Sequence, residues 1–575
     1  MGMWEVVTLK DSDQRIGIEH HFKIFAGPGA GKTRFLINHI KNVIGQSKRL
    51  SKTRKIACIT YTNIAVDTII QRLEDFAEKV EVSTIHSFLY KHIVKPYLFL
   101  IKDEFGIPIE NIDGHDEIIP SSGLINAWIE ETNQKYLRAK DITTKKISEA
   151  LCDICWQFNA EGQLQLVLRH PYKGNMGKVS IKYASFETYK KLCWERGLLH
   201  HDDVLFFSWI LLIKNPRIQD IIRAKFPYLF IDEFQDTNPI QTSIIEILAN
   251  KETIVGVIGD KAQSIYSFQG ADVKQFVDFV LPNMTIYTLE NNHRSTQEII
   301  DVLNFIREKD LKQSSPDNKR GTKPKVILGS PIEAHKKALE MVGQPVCTLS
   351  YTNIGSNEMK SGLMTASGVD LFDHLLYEDS NSKRARQIYT IIKAIEHCRH
   401  NHIKDAITLI TKVCNSTNEI TKEKAALILL KKLVNHYQSF KNKSLTEFYN
   451  NDIDGLLVKK NKISSGKIKD FYDGVSYEEV ALWVKINEDN SLHRTIHKAK
   501  GDEFNNVMIL IRGTPSEFNE KKELDFLLSS DIEDESHRVY YVALSRAKKN
   551  LFLNIPTIKS EDIKVKLEKM GFEII

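Results

Sequence analysis

The sequence has little that would place it in a specialised class of protein. Its 575 residues include only 7 cysteines and 15 prolines, and no apolar run is long enough to cross a membrane. Cysteines scattered through a long chain exclude a disulfide scaffold and favour reduced thiols. The N-terminus lacks the apolar segment of a signal peptide, and no transit peptide is indicated. We therefore expect a cytoplasmic protein that does not bind membranes.

The net charge is also small. A formal net charge of +5 gives no general argument for a polyanionic partner, so any nucleic-acid binding must use a local groove. Hydrophobic residues make up 42% of the chain and charged residues 27%, which is typical of globular proteins. The length predicts several domains of about 100–200 residues each.

One pair of cysteines has the spacing of metal ligands. Cys152 and Cys155 lie in a stretch whose pattern is helical and rich in aromatic residues, and only Cys193 is near enough in sequence to be a third ligand. The spacing permits a metal or iron–sulfur site, but the composition of the stretch favours buried core thiols.

The most informative segment is the glycine-rich run AGPGAGKT, Ala26 to Thr33. It follows a strand-like stretch at 22–26 and precedes a helix-like one at 33–44, which is the setting of a phosphate-binding loop. Lys32 can contact the β- and γ-phosphates of ATP, and the Thr33 hydroxyl can bind Mg²⁺. A simple glycine-rich turn is the alternative, which Lys32 and Thr33 disfavour. The expected nucleotide contacts in this loop are Ala26, Gly27, Pro28, Gly29, Ala30, Gly31, Lys32 and Thr33.

A second motif is the run YLFIDEFQD, Tyr228 to Asp236, in which an apolar strand ends in two acids. Acidic pairs are common as solvated strand ends. Here, however, the apolar run predicts that the acids lie at the carboxyl edge of a parallel sheet, where ligands of open α/β folds bind. We expect Asp232 to hold Mg²⁺ and Glu233 to act as the base that deprotonates the attacking water. The two motifs together predict an NTPase.

Strand and helix patterns alternate around these motifs and predict an α/β fold with parallel sheets. Alternation runs from residue 22 to about 72, and strands return between 228 and 290. The pattern from about 88 to 223 is mostly helical. A second α/β domain is assembled from segments on both sides of a long helical stretch at about 384–440.

Further motifs follow one another in a recognisable order. They are DQRIGI around Gln14, ITYTNIAV at 59–66, STIHSF at 83–88, GDKAQSIYSFQGA at 259–271, LENNHRST at 289–296, TIHKAKGDEFNNV at 495–507 and YVALSRAKKNL at 541–551. With the two nucleotide motifs, the series resembles superfamily 1 helicases of the UvrD/Rep/PcrA group. The resemblance implies two RecA-like parallel-sheet P-loop NTPase domains with helical insertions. It also implies an ATP- and Mg²⁺-dependent translocase on single-stranded DNA with 3′-to-5′ polarity.

The resemblance also implies how the chain divides. The first RecA-like domain, 1A, is expected at 1–88 and 224–292, with a helical insertion, 1B, at 89–223. The second, 2A, is expected at 293–360 and 491–575, with a reduced helical 2B-like insertion at 361–490. So few residues flank the motifs that neither end of this sequence has room for a nuclease domain, and any cutting is expected to come from a partner.

Several more nucleotide contacts are implied by the same resemblance. Gln263 is expected to sense the γ-phosphate, and Arg294 and Arg546, assigned to 2A, are expected to act as arginine fingers. An isolated arginine is more often a surface ion pair, but the motif context favours catalysis. The remaining expected contacts with the nucleotide are Gln14 and Arg34, with Glu503 at the ribose.

Binding of single-stranded DNA requires aromatic platforms and backbone contacts that ignore base sequence. Tyr61, Tyr266 and Phe268 are expected to stack on bases, although an aromatic residue considered alone is more often part of a core. Short polar side chains suit contacts with phosphate. The other expected DNA contacts are Thr62, Asn63, Thr84, His86 and His497.

The sequence departs from the family at two places. Phe268-Gln269 stands where the family usually has Trp-Arg, and His293 stands where it has Tyr. Base stacking and adenine stacking are therefore expected to differ.

Two functions stay open at this point. One is a helicase in DNA repair or antiphage defence, similar in plan to the helicase subunit of Gabija-type systems, which accompanies an OLD-family nuclease. The other is a nucleotide-sensing ATPase subunit that regulates a partner nuclease with little unwinding of its own. A P-loop signalling or transport ATPase is disfavoured by the DNA motifs.

Overall fold

The computed structural model describes residues 6–575 except 113, 117, 140–141, 308–309, 363–370, 380, 414–418, 454–461, 485, 487–490, 514–515, 517 and 530. Within these residues the chain forms two compact units. The first comprises Met1–Ile300, Ile306–Lys319 and Ser530–Arg538, and the second comprises Asp301–Phe305, Arg320–Ser529 and Val539–Ile575. In the described part of the chain, no helix is both long and apolar enough to span a bilayer.

The first unit contains a seven-stranded parallel sheet. The strands of this unit are β1 (Val6–Leu9), β2 (Phe22–Ala26), β3 (Ile56–Thr60), β4 (Val80–Thr84), β5 (Ile154–Phe158), β6 (Leu164–Leu168), β7 (Tyr228–Ile231), β8 (Ile254–Gly259) and β9 (Thr285–Leu289). Seven of them pair in parallel in the order β1-β9-β2-β8-β7-β3-β4. The order places the carboxyl ends of β2, β8, β7 and β3 side by side, and the parallel α/β sheet confirms the predicted fold class.

Residues on these strands alternate between two cores. On β7, Tyr228 and Phe230 pack with Phe35 and other residues of the helix Lys32–Gln46, whereas Leu229 and Ile231 belong to the core on the opposite face. Both faces are thus covered, as is usual for parallel sheets. The helices of this unit are Lys32–Gln46, Asn63–Leu73, Ile85–Leu89, Lys95–Tyr97, Lys102–Phe105, Ser122–Glu131, Thr144–Cys152, Phe186–Trp194, His201–Lys214, Pro216–Lys225, Pro239–Ala249 and Val273–Val277. The helix Gln297–Ile306 also begins here, but its residues 301–305 group with the second unit.

The stretch predicted to be mostly helical also contains a β-hairpin. Strands β5 and β6 pair in antiparallel fashion from Ile154↔Leu168 to Phe158↔Leu164. The hairpin corrects the expectation that Cys155 lies on a helix: Cys152 ends a helix and Cys155 lies on β5. A run of alternating aromatic and polar residues can be read with either period over so short a length. Among the described residues, no cluster of three metal-binding side chains is present.

The second unit contains a six-stranded parallel sheet. Its strands are β10 (Lys325–Leu328), β11 (Cys347–Ser350), β12 (His493–Thr495), β13 (Phe504–Leu510), β14 (Ala547–Ile555) and β15 (Glu573–Ile574), in the order β12-β11-β13-β14-β10-β15. This unit is the second parallel α/β assembly that the sequence predicts. Its helices are Pro331–Val342, Asn353–Ser361, Leu371–Glu378, Ser382–Arg399, Ile403–Thr411, Glu419–Asn435, Tyr437–Phe440, Leu445–Glu447, Lys467–Asp473, Tyr477–Ala481, Glu520–Glu523, Asp525–Leu528, Glu535–Leu544 and Glu561–Lys569.

The helices between residues 371 and 481 form a core of their own. Ile388, Ile392, Phe440, Phe448 and Tyr477 are fully buried in it. The helical insertion is therefore stabilised by its own apolar contacts, apart from those of the sheet.

Three segments lie in the first unit although the sequence suggests the second. Residues 293–300 and 306–319 group with the first unit, whereas the sequence predicts that 2A begins at residue 293. Both segments bond to the glycine-rich loop: the His293 N–H donates to Gly29 O at 2.9 Å, and Gln313 Nε2 donates to Pro28 O at 3.1 Å. Residues 530–538, which begin the helix Glu535–Leu544, also group with the first unit.

Candidate nucleotide site and nucleic-acid surface

The glycine-rich loop joins β2 to the helix Lys32–Gln46 through two left-handed residues. Gly29 has φ +69° and Gly31 has φ +82°. A Cβ at Gly29 would lie 2.5 Å from Asn292 Oδ1, and one at Gly31 would lie 2.8 Å from Ser12 Oγ. Backbone conformation and space both require glycine here. The loop therefore has the form that can place backbone N–H groups around a phosphate.

A glutamine far from the loop in sequence lies against it. Gln313 Nε2 donates to Pro28 O and to Asn291 O, both at 3.1 Å. A Cβ at Gly27 would lie 2.4 Å from Gln313 Cδ, so this side chain covers the start of the loop. Gln313 is buried. Sequence reasoning missed it because it lies in a polar connecting segment that matches no motif.

The Lys32 ammonium group is held only weakly within the loop. Its Nζ donates to Ala26 O at 3.4 Å and to Gly27 O at 3.5 Å, which are long for hydrogen bonds. Such contacts exchange readily for the stronger, charge-assisted bonds that phosphate oxygens offer. Thr33 follows in the first turn of the helix, as Mg²⁺ binding through its hydroxyl requires.

Asp232 lies at the carboxyl end of β7 with its side chain buried. Its N–H donates to Ile59 O at 2.8 Å, and its Oδ1 accepts from the Glu233 N–H at 3.0 Å. Burial, with a smaller contribution from the neighbouring Glu233 carboxylate, raises the pKa of Asp232 to about 7, and Lys32 opposes the rise. An ionised carboxylate is a hard oxygen ligand of the kind that suits Mg²⁺.

Glu233 has a left-handed backbone, with φ +55°. Non-glycine residues rarely adopt this conformation, and strain of this kind is common at functional sites. Its Oε2 accepts a short hydrogen bond from Gln235 Nε2. The strained turn and Gln235 together hold the predicted base in one orientation.

Gln263 and Asp260 extend this network at the end of β8. Gln263 Nε2 donates to Asp260 Oδ2 at 2.7 Å, and the Asp260 N–H donates to Gln235 Oε1 at 3.0 Å. Arg307 contacts Asp260 Oδ1 at 2.9 Å. Gln263, the predicted γ-phosphate sensor, is thus linked through Asp260 and Gln235 to Glu233. Gln235 and Arg307 were not predicted, although Gln235 lies within the acidic motif.

Gln14 and Arg34 each bond to a residue of the segment 10–13, which precedes the glycine-rich loop. Gln14 Oε1 accepts from the Lys10 N–H at 2.7 Å. Arg34 Nε and Nη2 donate to Asp13 at 2.7 and 2.6 Å. The Arg34 side chain is 66% exposed and that of Asp13 is 50% exposed, so the ion pair contributes little stability.

Arg294 lies beside the glycine-rich loop. Its N–H donates to Asn292 Oδ1 at 2.9 Å, and its Cβ lies 2.7 Å from the place where a Cβ on Gly29 would stand. Arg294 therefore belongs to the immediate surroundings of the predicted phosphate site.

Arg546 and Glu503 lie in the second unit. Arg546 is buried, and its guanidinium donates to Val542 O at 3.0 Å and to Asp502 O at 3.2 Å. Glu503 pairs with Lys548. The structure thus places Arg546 next to the backbone of the residue that precedes Glu503.

The three aromatic residues predicted to stack on DNA form one cluster, here called the aromatic platform. The Tyr61 and Tyr266 rings stack with centroids 4.8 Å apart and planes inclined by 12°. Phe268 meets Tyr266 edge to face at 6.0 Å and is 44% exposed. The Tyr61 hydroxyl donates to Gln269 Oε1. Phe268 is the member most available to a base.

The predicted polar DNA contacts lie at two helix starts near the platform. Thr62 Oγ1 accepts from the Ala65 N–H at 3.2 Å, and Thr84 Oγ1 accepts from the Ser87 N–H at 3.4 Å. Both threonines therefore act as helix caps. Asn63, the first residue of its helix, is exposed.

The two predicted histidine contacts have different surroundings. His86 lies 5.4 Å from His201 and 6.3 Å from His115, measured between ring centroids. Burial lowers the pKa of His86 to about 3, so this imidazole is neutral at physiological pH and can act on phosphate only as a neutral donor. His497 lies in the second unit, 6.2 Å from the Tyr351 ring.

A segment from the C-terminal part of the chain also contacts the platform region. The Ser267 N–H and hydroxyl both donate to the Glu535 carboxylate, the first at 2.9 Å. Arg538 Nε donates to Ser264 O at 2.6 Å. Sequence reasoning did not single out Glu535 and Arg538, although both lie just before the motif at 541–551.

Comparison with known proteins gives a consistent result. The UvrD/REP helicase N-terminal domain family matches residues 11–282, and the UvrD-like helicase C-terminal domain family matches residues 363–557. DNA helicase II of Rickettsia typhi is 25% identical, covering 95% of this chain and 92% of its own length. The ATP-dependent DNA helicase Rep of Buchnera aphidicola is 28% identical over 56% of this chain and 49% of its own. The ATP-dependent DNA helicase PcrA of Staphylococcus aureus is 25% identical over 70% of this chain and 53% of its own.

Among solved structures, an arterivirus nonstructural protein 10 helicase covers 94% of this chain and 60% of its own, at 10% identity and a TM-score of 0.29. A likeness this slight carries no argument about function.

Proposed function

We propose a function for this chain from its family, since it belongs to the UvrD/Rep/PcrA group of superfamily 1 DNA helicases, which hydrolyse ATP. In this proposal the chain moves 3′ to 5′ along single-stranded DNA, and the DNA stimulates its ATP hydrolysis. Its expected cofactors are ATP and Mg²⁺. The role of each residue in the reaction is part of the same proposal.

The observation that carries the proposal is a series of contacts joining the predicted base to the aromatic platform. Gln235 bonds both Glu233 and the Asp260 N–H, and Gln263 holds the Asp260 carboxylate. Three residues after Gln263, the same segment supplies Tyr266 of the platform. If DNA binding displaces this segment, the displacement can change the position of Glu233 through a few hydrogen bonds. This arrangement supports coupling between DNA binding and ATP hydrolysis.

In the reaction, a water oxygen attacks the γ-phosphorus, and the bond from that phosphorus to the bridging oxygen of ADP breaks. Glu233 accepts the proton of the attacking water, and Gln263 orients the water or the γ-phosphate. Lys32, Arg294 and Arg546 stabilise the charge of the transferring phosphoryl group. Mg²⁺, held by Asp232 and Thr33, would neutralise charge on the β- and γ-phosphates.

The primary experiment measures steady-state ATP hydrolysis by the purified chain with and without single-stranded oligonucleotides. We expect DNA to raise the rate, and we expect Glu233→Gln to lower it about 10²- to 10⁴-fold while ATP binding remains, since general-base catalysis has this magnitude. Glu252→Gln, on the surface, is the matched control for loss of one carboxylate. Hydrolysis that is indifferent to DNA would instead favour a P-loop ATPase of another kind.

Polarity is tested separately with partial duplexes that carry either a 3′ or a 5′ single-stranded tail. Displacement from the 3′-tailed duplex alone is the expected result. Preference for the 5′-tailed duplex would contradict the proposed direction and leave the assignment of the nucleotide site intact.

The alternative, an ATPase subunit that regulates a partner nuclease, is favoured by one feature of the platform. Phe268-Gln269 replaces the family's Trp-Arg, and Gln269 is bonded to Tyr61, so the platform offers a smaller stacking surface to a base. Strong DNA-stimulated hydrolysis without strand displacement, with displacement or cutting only when an OLD-family nuclease is added, would support this role. Processive displacement by the chain alone would contradict it. Action in repair or in antiphage defence, and a cytoplasmic location, stay predictions.

A further inference from the structure

Arg169 lies next to the aromatic platform although no DNA motif includes it. It directly follows β6 of the hairpin in the insertion, and its N–H donates to Asp153 O at 3.0 Å. Its Nε lies 3.8 Å from the place where a Cβ on Gly270 would stand. Gly270 immediately follows Gln269, whose side chain accepts from Tyr61. The end of the hairpin thus places a guanidinium beside the platform.

The hydrogen-bonding capacity of this guanidinium is mostly unused within the described residues. Arginine has five N–H donors. Arg169 Nη2 contacts Asp202 Oδ2 at 3.3 Å, longer than the 2.7–2.9 Å usual for such charge-assisted bonds. Arg169 Nε is buried and has no hydrogen-bond partner among the residues that the structure describes. A buried donor without an acceptor is costly, so its persistence requires an explanation.

The surroundings indicate which acceptor would complete the site. Single-stranded nucleic acid that stacks its bases on Phe268 and Tyr266 runs its phosphates along the polar border of the same surface. Arginine is the side chain best suited to phosphate, because its planar fork binds two oxygens at once. The side chain of Arg169 is 25% exposed, so part of it is reachable from solvent although Nε is buried.

We propose that Arg169 binds a backbone phosphate of the single-stranded DNA that stacks on the aromatic platform, and that it exchanges Asp202 for this phosphate when DNA binds. The inference rests on the proposed DNA-binding function and adds to it a contact from the insertion. Asp202 holds the guanidinium in place before DNA arrives. The contact makes the insertion part of the DNA-binding surface, close to the segment that leads to Gln263.

The test is the salt dependence of binding to a fluorescent oligo(dT), measured by anisotropy from about 50 to 200 mM salt. Each phosphate neutralised on a single strand contributes about 0.7 to the slope of log K against log salt. Arg169→Ala is expected to reduce the slope by about 0.7 and to weaken binding about tenfold. Arg169→Lys keeps the charge and is expected to retain most of the slope. Lys173→Ala removes a charge from the same insertion, one paired with Asp153, and is expected to leave the slope unchanged.

A second variant separates phosphate contact from a structural role. If Arg169→Ala acted only by leaving Asp202 unpaired, the double variant Arg169→Ala/Asp202→Asn would recover the wild-type slope, and the proposal would fail. If Arg169 binds phosphate, the double variant keeps the reduced slope, and Asp202→Asn alone binds DNA at least as tightly as the wild type. Circular dichroism melting establishes that each variant is folded. A wild-type chain that binds no oligo(dT) would contradict the proposed function itself, whereas equal slopes for wild type and Arg169→Ala would contradict only this inference.

Discussion

Asp232 is buried beside Glu233, and this environment raises its pKa to about 7. A carboxyl group of this kind exchanges a proton for a metal ion, because the ligand must be ionised when the metal binds. Gln313 acts differently: it carries no charge, and its contribution is two hydrogen bonds to carbonyl groups at and near the glycine-rich loop. Both side chains are expected to affect nucleotide binding, but only Asp232 makes it depend on pH.

The first prediction concerns the Mg²⁺ requirement of nucleotide binding. Because the pKa of Asp232 is raised, the group is protonated below about pH 7 in the absence of metal, and Mg²⁺ must displace that proton. The apparent affinity for Mg²⁺ is expected to fall as pH decreases through 7 and to level off above it. The measurement is the Mg²⁺ concentration for half-maximal nucleotide binding between about pH 6 and 8. ATP itself also titrates in this pH range. The same measurement on Asp232→Asn, with the same nucleotide, is the control for that titration. An equal pH dependence in both proteins would contradict the prediction.

The second prediction concerns Gln313. Gln313→Ala removes the hydrogen bonds that hold Pro28 and Asn291 and opens a space beside Gly27. Loss of hydrogen bonds to buried carbonyls costs about 1–3 kcal/mol, so we expect ATP binding to weaken about fivefold or more. A fluorescent ATP analogue measures this directly. Lys312→Ala, at an exposed neighbouring position, should bind as the wild type does. Wild-type affinity in Gln313→Ala would show that the loop keeps its form unaided.

The helix Glu535–Leu544 is the element best placed to transmit a change. At its start, Glu535 bonds Ser267 and Arg538 bonds Ser264, on the segment that carries the platform. A helix is stiff along its axis, so displacement at one end is carried to the other.

The third prediction tests this helix. Glu535→Gln weakens the two bonds to Ser267, because the amide accepts less strongly than a carboxylate. Coupling residues typically contribute about 0.5–2 kcal/mol, so DNA stimulation of hydrolysis is expected to fall roughly twofold to thirtyfold, more than the rate without DNA. The ratio of the two rates is the quantity to measure. Glu533→Gln changes an exposed acid two residues away and should leave the ratio unchanged. Identical ratios in both variants would contradict the role given to this helix.

The chain as a whole contains several separate cores. The sheet of the first unit is covered on both faces, the sheet of the second has its own core, and the helices between 371 and 481 form another. Such chains seldom unfold in a single two-state step. Because the glycine-rich loop belongs to the first unit, a bound nucleotide is expected to stabilise that unit directly.

The fourth prediction follows for thermal unfolding. Calorimetry is expected to show more than one transition. A non-hydrolysable ATP analogue with Mg²⁺, at about 100 times its Kd, should stabilise one transition by about 2.7 kcal/mol. Lys32→Ala should remove the shift, because it removes the charge that contacts the phosphates. A single transition whose calorimetric and van't Hoff enthalpies agree would contradict this description.

The sequence by itself determined the family, the parallel α/β fold and the segments that hold the nucleotide motifs. Each of these depends on residues close together in the chain: the glycines and Lys32 in one loop, and Asp232 and Glu233 at the end of one apolar strand. Local spacing is sufficient there, because one strand, one turn and one helix set the geometry. The hairpin of β5 and β6 was missed for the opposite reason, since its short strands have no decisive period.

Only the tertiary structure decided which distant residues complete the candidate site. Gln313 meets Pro28 across 285 positions of the chain, and Glu535 meets Ser267 across 268. Arg169 reaches the platform from the hairpin of an insertion. No local pattern marks these residues, because their neighbours are set by strand order and by how the insertion packs. Contacts of this kind form only when the whole unit folds. In the sequence these side chains look like ordinary polar surface residues, and only the folded structure shows which of them make buried hydrogen bonds.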